Sequence, residues 1–248
     1  MTQKYRLLVC LIIAICGSQL AAQSMIPGDT TQLVVVLAQD WESGVGQLCL
    51  LERTETAWQQ CGAAWPVTLG ENGLGWGRGL IARPGTVPIK REGDGKAPAG
   101  LFTIAARLYG YAERPPAQVT LPYVQLTTSW IGVDDPKSRY YNRVFNQRSV
   151  PAPDWDSYEE MRRRDQLYQW VIVIEHNVEN TEPGAGSCIF FHLWHGPTTP
   201  TAGCTAMSEE NMVRLACWLK ATSKPLLLQL PVALYQEWRL PPPHLLEK

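Results

Sequence analysis

The chain has 248 residues, of which 18% are charged and 45% are hydrophobic, and its formal net charge is −1. This near-neutral balance argues against a nucleic-acid-binding surface. Beyond the N-terminal segment described next, no stretch has the roughly 20 apolar residues that a membrane-spanning helix needs.

The first 22 residues differ from the rest of the chain. Lys4 and Arg6 precede an apolar run from Leu7 to Ile15, and small residues follow up to Ala22. This order is typical of a secretory signal peptide, so we expect residues 1–22 to direct export. A lipoprotein modified at Cys16 and an uncleaved anchor are the alternatives. Removing Lys4 and Arg6 from the 22 basic residues leaves 20 against 23 acidic ones, a net charge of −3 for residues 23–248.

Five cysteines remain after the signal segment. Exported chains meet an oxidising compartment in which structural cysteines tend to pair. Cys49 and Cys61 flank a predicted hairpin and are one candidate pair, and Cys188 with Cys217 is a second. Five is an odd number, which leaves at least one free thiol, and we assign that role to Cys204.

The remaining residues, 23–248, predict a single β-rich domain with a few helices. Runs of β-branched and apolar residues between turn signals predict strands. In chain order they are "QLVVVLA" (32–38), the hairpin strands "QLCLLER" and "AWQQCGA" (47–53 and 57–63), "AGLFTIA" (99–105), "WVIVIEH" (170–176), "SCIFFHLW" (187–194) and "PLLLQLP" (225–231).

Two helices are predicted. Residues 154–169 place acidic side chains early and arginines later, which complements a helix dipole, and Arg162 to Arg164 would form its solvated face. The second helix would begin after Ser208 as N-cap and run to about Lys220. Its apolar side chains recur at helical spacing and predict one buried face, formed by Met212, Leu215, Ala216 and Leu219.

The stretch "FFHLWHGPTTPTAGCTAM" (190–207) concentrates the reactive side chains. His192 ends a predicted strand, and Cys204 ends a Pro- and Thr-rich loop before the second helix. A histidine and a helix N-terminus both favour the thiolate that nucleophilic chemistry needs. Gly203 allows backbone amides to approach an oxyanion. A structural thiol with incidental histidines, and a metal site of His192, His195 and Cys204, remain open, although the spacing is not that of recurring zinc sites.

The residues then resemble a known family. "SCIFFHLWHGPTTPTAGCTAM" is similar to the catalytic segment of L,D-transpeptidase (YkuD-type) domains, which have a strand histidine, a loop, and Ser/Thr-x-Gly-Cys. His192 and the run Thr201 to Cys204 match these positions. "GDGKAPAGLFTI" (93–104) and "DDPKSRYYN" (134–142) resemble further family segments in the correct order.

The resemblance implies an L,D-transpeptidase-like β-sandwich of mixed sheets in the periplasm or cell envelope. Cys204 would attack a peptidoglycan stem peptide and pass the acyl group to an amine of a neighbouring stem. His192 would move the protons, and amides near Gly203 would hold the oxyanion. The resemblance implies no cofactor and no metal, and carbapenems would acylate the thiol. A hydrolase with the same pair, an L,D-carboxypeptidase or endopeptidase, and a non-catalytic envelope-binding domain are the alternatives.

The sequence departs from the family pattern in three places, and the third bears on which donor peptide is bound. Leu193 follows the histidine, the loop is short, and Ala206 stands where most members carry a basic residue. His195, Arg143 or Lys90 are candidates to replace that charge, and His195 is also a candidate substrate contact. We further expect Asp134, Tyr141 and Asn142 either to line the cleft or to organise a turn, and His176 and His244 to lie on the surface.

Overall fold

A computed structural model describes residues 25–55 and 57–240. The predicted signal peptide and His244 lie outside these residues. Within them the protein is mainly β with a few helices, and its strands form one mixed sheet of twelve strands and a second sheet of three. The predicted fold class, a mainly β domain of mixed sheets, is confirmed. No helix in the described part of the chain is long and apolar enough to cross a membrane.

The strands of the large sheet are β1 Gln32–Ala38, β2 Val45–Arg53, β3 Trp58–Gln60, β4 Trp65–Thr68, β5 Leu74–Trp76, β6 Ala97–Thr103, β7 Leu108–Gly110, β8 Tyr123–Gln125, β12 Trp170–Val173, β13 Phe190–Leu193, β14 Thr205–Met207 and β15 Leu226–Pro231. The small sheet contains β9 Trp130–Val133, β10 Arg143–Asn146 and β11 Glu159–Glu160. The helices are α1 Glu209–Trp218 and α2 Val232–Glu237, with 3-10 turns at Gln147–Ser149 and Ala221–Ser223.

Strand β1 lies in the interior of the large sheet, and all of its residues are buried. It pairs in parallel with β15 and antiparallel with β2. A strand covered on both faces has no solvent side, which explains its unbroken apolar sequence. The predicted strands at 32–38, 99–105 and 225–231 and the hairpin of β2 with β3 are confirmed. The predicted strands at 170–176 and 187–194 are confirmed in shorter form.

The second predicted helix is confirmed as α1. Ser208 is its N-cap and its side chain accepts a hydrogen bond from the Asn211 amide. Met212, Leu215 and Ala216 are buried on one face, and Leu219 just beyond the helix is buried with them.

The helix predicted over residues 154–169 is wrong. Glu159 and Glu160 form β11 and pair with Gly132 and Ile131 of β9. Gln166 adopts a left-handed backbone with φ of 63°, which no α-helix contains. The segment also buries Tyr168, so tertiary contacts on separate sides of the chain outweigh its favourable charge order.

The predicted disulfides are also wrong, because all five described cysteines are free thiols. Cys61 pairs through its amide with the Leu50 carbonyl, at 2.8 Å. Leu50, and not Cys49, is therefore the cross-strand partner of Cys61. Neighbouring residues of a strand point to opposite faces of the sheet, so the two cysteine side chains lie on opposite faces. Cys188 is buried beside Cys204, whereas Cys217 lies off the buried face of α1.

His176 is buried at 1% exposure and not on the surface as predicted. Its Nδ1 accepts a hydrogen bond from the Arg78 amide at 3.1 Å, and its Nε2 lies 3.0 Å from the Ala185 carbonyl oxygen. The ring packs edge-on against Phe102. Its hydrogen-bond partners from two loops, Arg78 and Ala185, account for the burial of this polar side chain.

Candidate active site

Cys204 and His192 are brought together by two neighbouring parallel strands. The register of β13 with β14 places His192 opposite Ala206. Partners in register point to the same face of a sheet, as do residues two apart along a strand. Cys204, two residues before Ala206, therefore shares its face with His192. Both side chains line one cleft of about 410 Å³.

The Cys204 thiol is held by backbone groups. Its Sγ accepts a hydrogen bond from the Phe190 amide at 3.3 Å and donates one to the Cys188 carbonyl at 3.5 Å. Only 8% of the residue is exposed. Burial raises the pKa of the thiol far above its usual range, and the charge of Glu159 raises it further. The resting thiol is therefore protonated at neutral pH.

The His192 ring is fixed in a tautomer suited to a base. Its Nδ1 lies 2.6 Å from the Leu193 carbonyl oxygen, which can only accept, so Nδ1 carries the proton. Nε2 is then left with a lone pair. Burial lowers the pKa of His192 to about 4, so the ring is neutral at pH 7. The arrangement is a neutral base beside a neutral thiol, not a standing thiolate–imidazolium pair.

The expected help from a helix N-terminus is absent. The three residues of β14 separate Cys204 from α1, which amounts to about 10 Å of extended chain. A helix dipole acts within about one turn of its end. The N-terminus of α1 instead places Glu209 where its carboxylate accepts hydrogen bonds from Gln169 and Trp170.

Gly203 shapes the turn that presents the thiol. Its amide donates to Thr201 Oγ1 at 3.0 Å, and that hydroxyl donates to the Cys204 carbonyl at 2.7 Å. Its φ is 152°, and a Cβ at this position would lie 2.9 Å from the Lys96 carbonyl oxygen. Glycine is required here because of both its conformation and the close backbone.

His195 lines the same cleft from the exposed loop after β13, where the sequence placed it. Its side chain is solvent-exposed, and it lies near enough to affect the electrostatics of His192. The structure thus gathers all four predicted site residues, Cys204, His192, Gly203 and His195, around one cleft.

The comparison with known families agrees with this geometry. The family model of the L,D-transpeptidase catalytic domain (YkuD) matches residues 52–232, which include both strands of the site. The chain belongs to the YkuD family. A solved structure with similarity to it is the helical cell shape determining protein Pgp2 from Campylobacter jejuni, with 11% identity and a TM-score of 0.37. The match covers 86% of this chain and 54% of that one, so the chain spans about half the length of Pgp2. No curated protein matches the sequence.

At position 206 this YkuD domain has alanine and not a basic residue. Basic side chains elsewhere were expected to replace that charge. Lys90 lines the cleft, but its ammonium donates to Asp94 at 2.6 Å and to the Arg91 carbonyl. Arg143 is the exposed first residue of β10 and does not line the cleft. His195 and Lys90 therefore remain candidates to replace the charge, and Arg143 does not.

Among the side chains of the YkuD cleft that sequence reasoning missed are Glu159, Arg163 and Tyr168. All three lie in the segment assigned to a helix, so the error in secondary structure hid them. A signal was present, because Tyr168 lies two residues before the apolar strand β12, which neighbours β13 in the sheet.

Asn142 organises a turn. Its side-chain amide donates to the carbonyls of His176 and Asn177, and its carbonyl accepts from the Cys188 amide. Asp134 lines the cleft and accepts from Ser157. The Tyr141 hydroxyl donates to Glu92, which is itself a cleft residue. Of the two roles expected for these residues, lining the cleft therefore suits Asp134 and organising a turn suits Asn142.

The metal alternative required His192, His195 and Cys204 to converge as ligands. Among residues 25–55 and 57–240, no group of three or more His, Cys, Asp or Glu side chains is placed to hold a metal ion.

Proposed function

We propose that the protein is an exported cysteine transpeptidase that acts on peptidoglycan stem peptides in the periplasm or cell envelope. The observation that carries the proposal is the placement of Cys204 and His192 on one face of adjacent strands, in one cleft of a YkuD domain. A nucleophile and a base fixed by separate backbone contacts are what acyl transfer through a thioester requires.

In the acylation step, His192 Nε2 takes the thiol proton as Sγ bonds to the carbonyl carbon of the donor stem. The C–N bond then breaks, and His192 returns the proton to the leaving amine. Because both groups rest in their neutral forms, proton transfer accompanies attack and no thiolate accumulates beforehand.

The developing oxyanion needs amide donors. The Gly203 amide already donates a hydrogen bond to Thr201 Oγ1. We therefore assign the Cys204 amide as the first hydrogen-bond donor to the oxyanion. In the second step an amine of a neighbouring stem attacks the thioester, His192 removes its proton, and the Cys204 thiol is restored. Water in place of the amine would give the hydrolase alternative.

The nucleophile is tested by intact-protein mass spectrometry after incubation with a carbapenem. We expect one covalent adduct on the wild type and none on Cys204→Ala. Cys188→Ala is the matched control, because it removes the neighbouring buried thiol and should retain the adduct. A folded, reduced wild type that takes up no carbapenem would contradict the proposal and favour a non-catalytic binding domain.

Transfer and hydrolysis are separated by incubation with a disaccharide tetrapeptide. Cross-linked dimers are expected from a transpeptidase. Release of free disaccharide tripeptide with no dimer would show that water is the acceptor. The protein would then be a carboxypeptidase and not a transpeptidase.

A further inference from the structure

We propose that Tyr168 and Glu159 form a positioning pair for the base: Tyr168 fixes the plane of the His192 ring, and Glu159 anchors Tyr168. This inference rests on the proposed role of Cys204 as nucleophile.

Tyr168 is the aromatic neighbour of the His192 ring. The two ring centroids lie 5.1 Å apart with an interplanar angle of 65°, an edge-to-face contact. Tyr168 also packs edge-on against Phe190, the residue whose amide binds the thiol. The hydrogen bond from His192 Nδ1 to the Leu193 carbonyl fixes one atom of the imidazole. The Tyr168 ring limits rotation of the imidazole about this hydrogen bond.

Glu159 holds the far end of Tyr168. The buried Tyr168 hydroxyl donates to Glu159 Oε2 at 2.5 Å. Glu159 is fixed in turn by the pairing of β11 with β9. The guanidinium of Arg163 lies 5.0 Å from the centroid of the Tyr168 ring and binds Asp165 at 2.6 Å. The aromatic ring against His192 is thus restrained at its hydroxyl and at its face.

The positioning role is tested by carbapenem acylation kinetics. Tyr168→Leu removes the ring from His192, and we expect the maximal acylation rate to fall about tenfold or more with the half-saturating concentration unchanged. Tyr109→Leu opens a similar space in the same apolar cluster without touching His192 and should acylate normally. Tyr168→Leu acylating at the wild-type rate would refute this role.

Should Tyr168→Leu not fold, as judged by near-ultraviolet circular dichroism, Tyr168→Phe decides. It keeps the ring and removes its anchor, and we expect acylation about fivefold slower, since one hydrogen bond is lost. An unchanged rate in Tyr168→Phe would overturn the anchoring. A wild type that fails to acylate contradicts the proposed function, whereas a wild type that acylates at the same rate as the Tyr168 variants contradicts only the positioning pair.

Discussion

Replacement of His176 by glutamine is expected to reduce the sensitivity of the fold to acid. Burial lowers the pKa of His176 from 6.5 to about 4, and the positive charges of Lys90 and Arg78 lower it further. A proton on Nδ1 would also displace the Arg78 amide, which donates to this nitrogen. The unfolded chain binds a proton below about pH 6.5, whereas the folded chain binds it only near pH 4. The stabilisation is therefore complete above pH 6.5 and is lost as the pH falls towards 4.

The size of the effect follows from the shift. A difference of about 2.5 pKa units corresponds to about 3 kcal/mol in total, of which about 2 kcal/mol is lost between pH 7 and pH 5. His192 has a similar shift and adds to this loss. Glu159 has a raised pKa and acts in the opposite direction, because its burial penalty disappears on protonation. A single-residue comparison is therefore needed to isolate His176.

The assay is urea unfolding followed by tryptophan fluorescence at pH 7 and pH 5. Between these values His176→Gln should lose about 2 kcal/mol less unfolding free energy than the wild type. His195→Gln is the control, because that ring is exposed and the substitution should leave the difference unchanged. Equal losses in the wild type and His176→Gln would refute the argument that the fold holds the ring neutral.

Two further substitutions test local features. Ser208→Ala removes the N-cap bond to Asn211 and should lower the free energy of unfolding by about 1 kcal/mol in the same assay. Gly203→Ala introduces a Cβ against the Lys96 carbonyl and should lower it by about 1–3 kcal/mol and slow carbapenem acylation. Gly28→Ala, with open space around it, should do neither, and a Gly203→Ala protein as stable and reactive as the wild type would contradict the account of the turn.

The strands and α1 were predictable because local patterns and tertiary demands agree there. The apolar run of β1 fits a strand covered on both faces, and Ser208 with the face of Met212 and Leu215 fits a capped amphipathic helix. The segment around Tyr168 was not predictable in this way. Its charge order favours a helix, but the burial of Tyr168 and the pairing of Glu159 with β9 are set by residues far away in sequence.

The candidate site shows the same division. Cys204 and His192 could be singled out because reactive side chains are rare in an apolar stretch and their order matches a family motif. Their protonation states could not be predicted, since they depend on how deeply the fold buries them and on the charge of Glu159. The pairing of cysteines also failed, because proximity in sequence says nothing about which face of β2 carries Cys49.

Because β13 pairs with β14, the strands that position the reacting groups are distinct from the segment that connects them. Strand register, rather than the connecting segment, fixes how His192 stands relative to Cys204. Residues 195–200 can therefore change in length and composition at little cost to the reaction, while residues from Thr201 onward are tied to the sheet through Leu69 and Gly70. The brevity of this loop does not weaken the assignment of the pair. It makes residues 195–200 the natural place to exchange when a different peptide is to be admitted to an unchanged reaction centre.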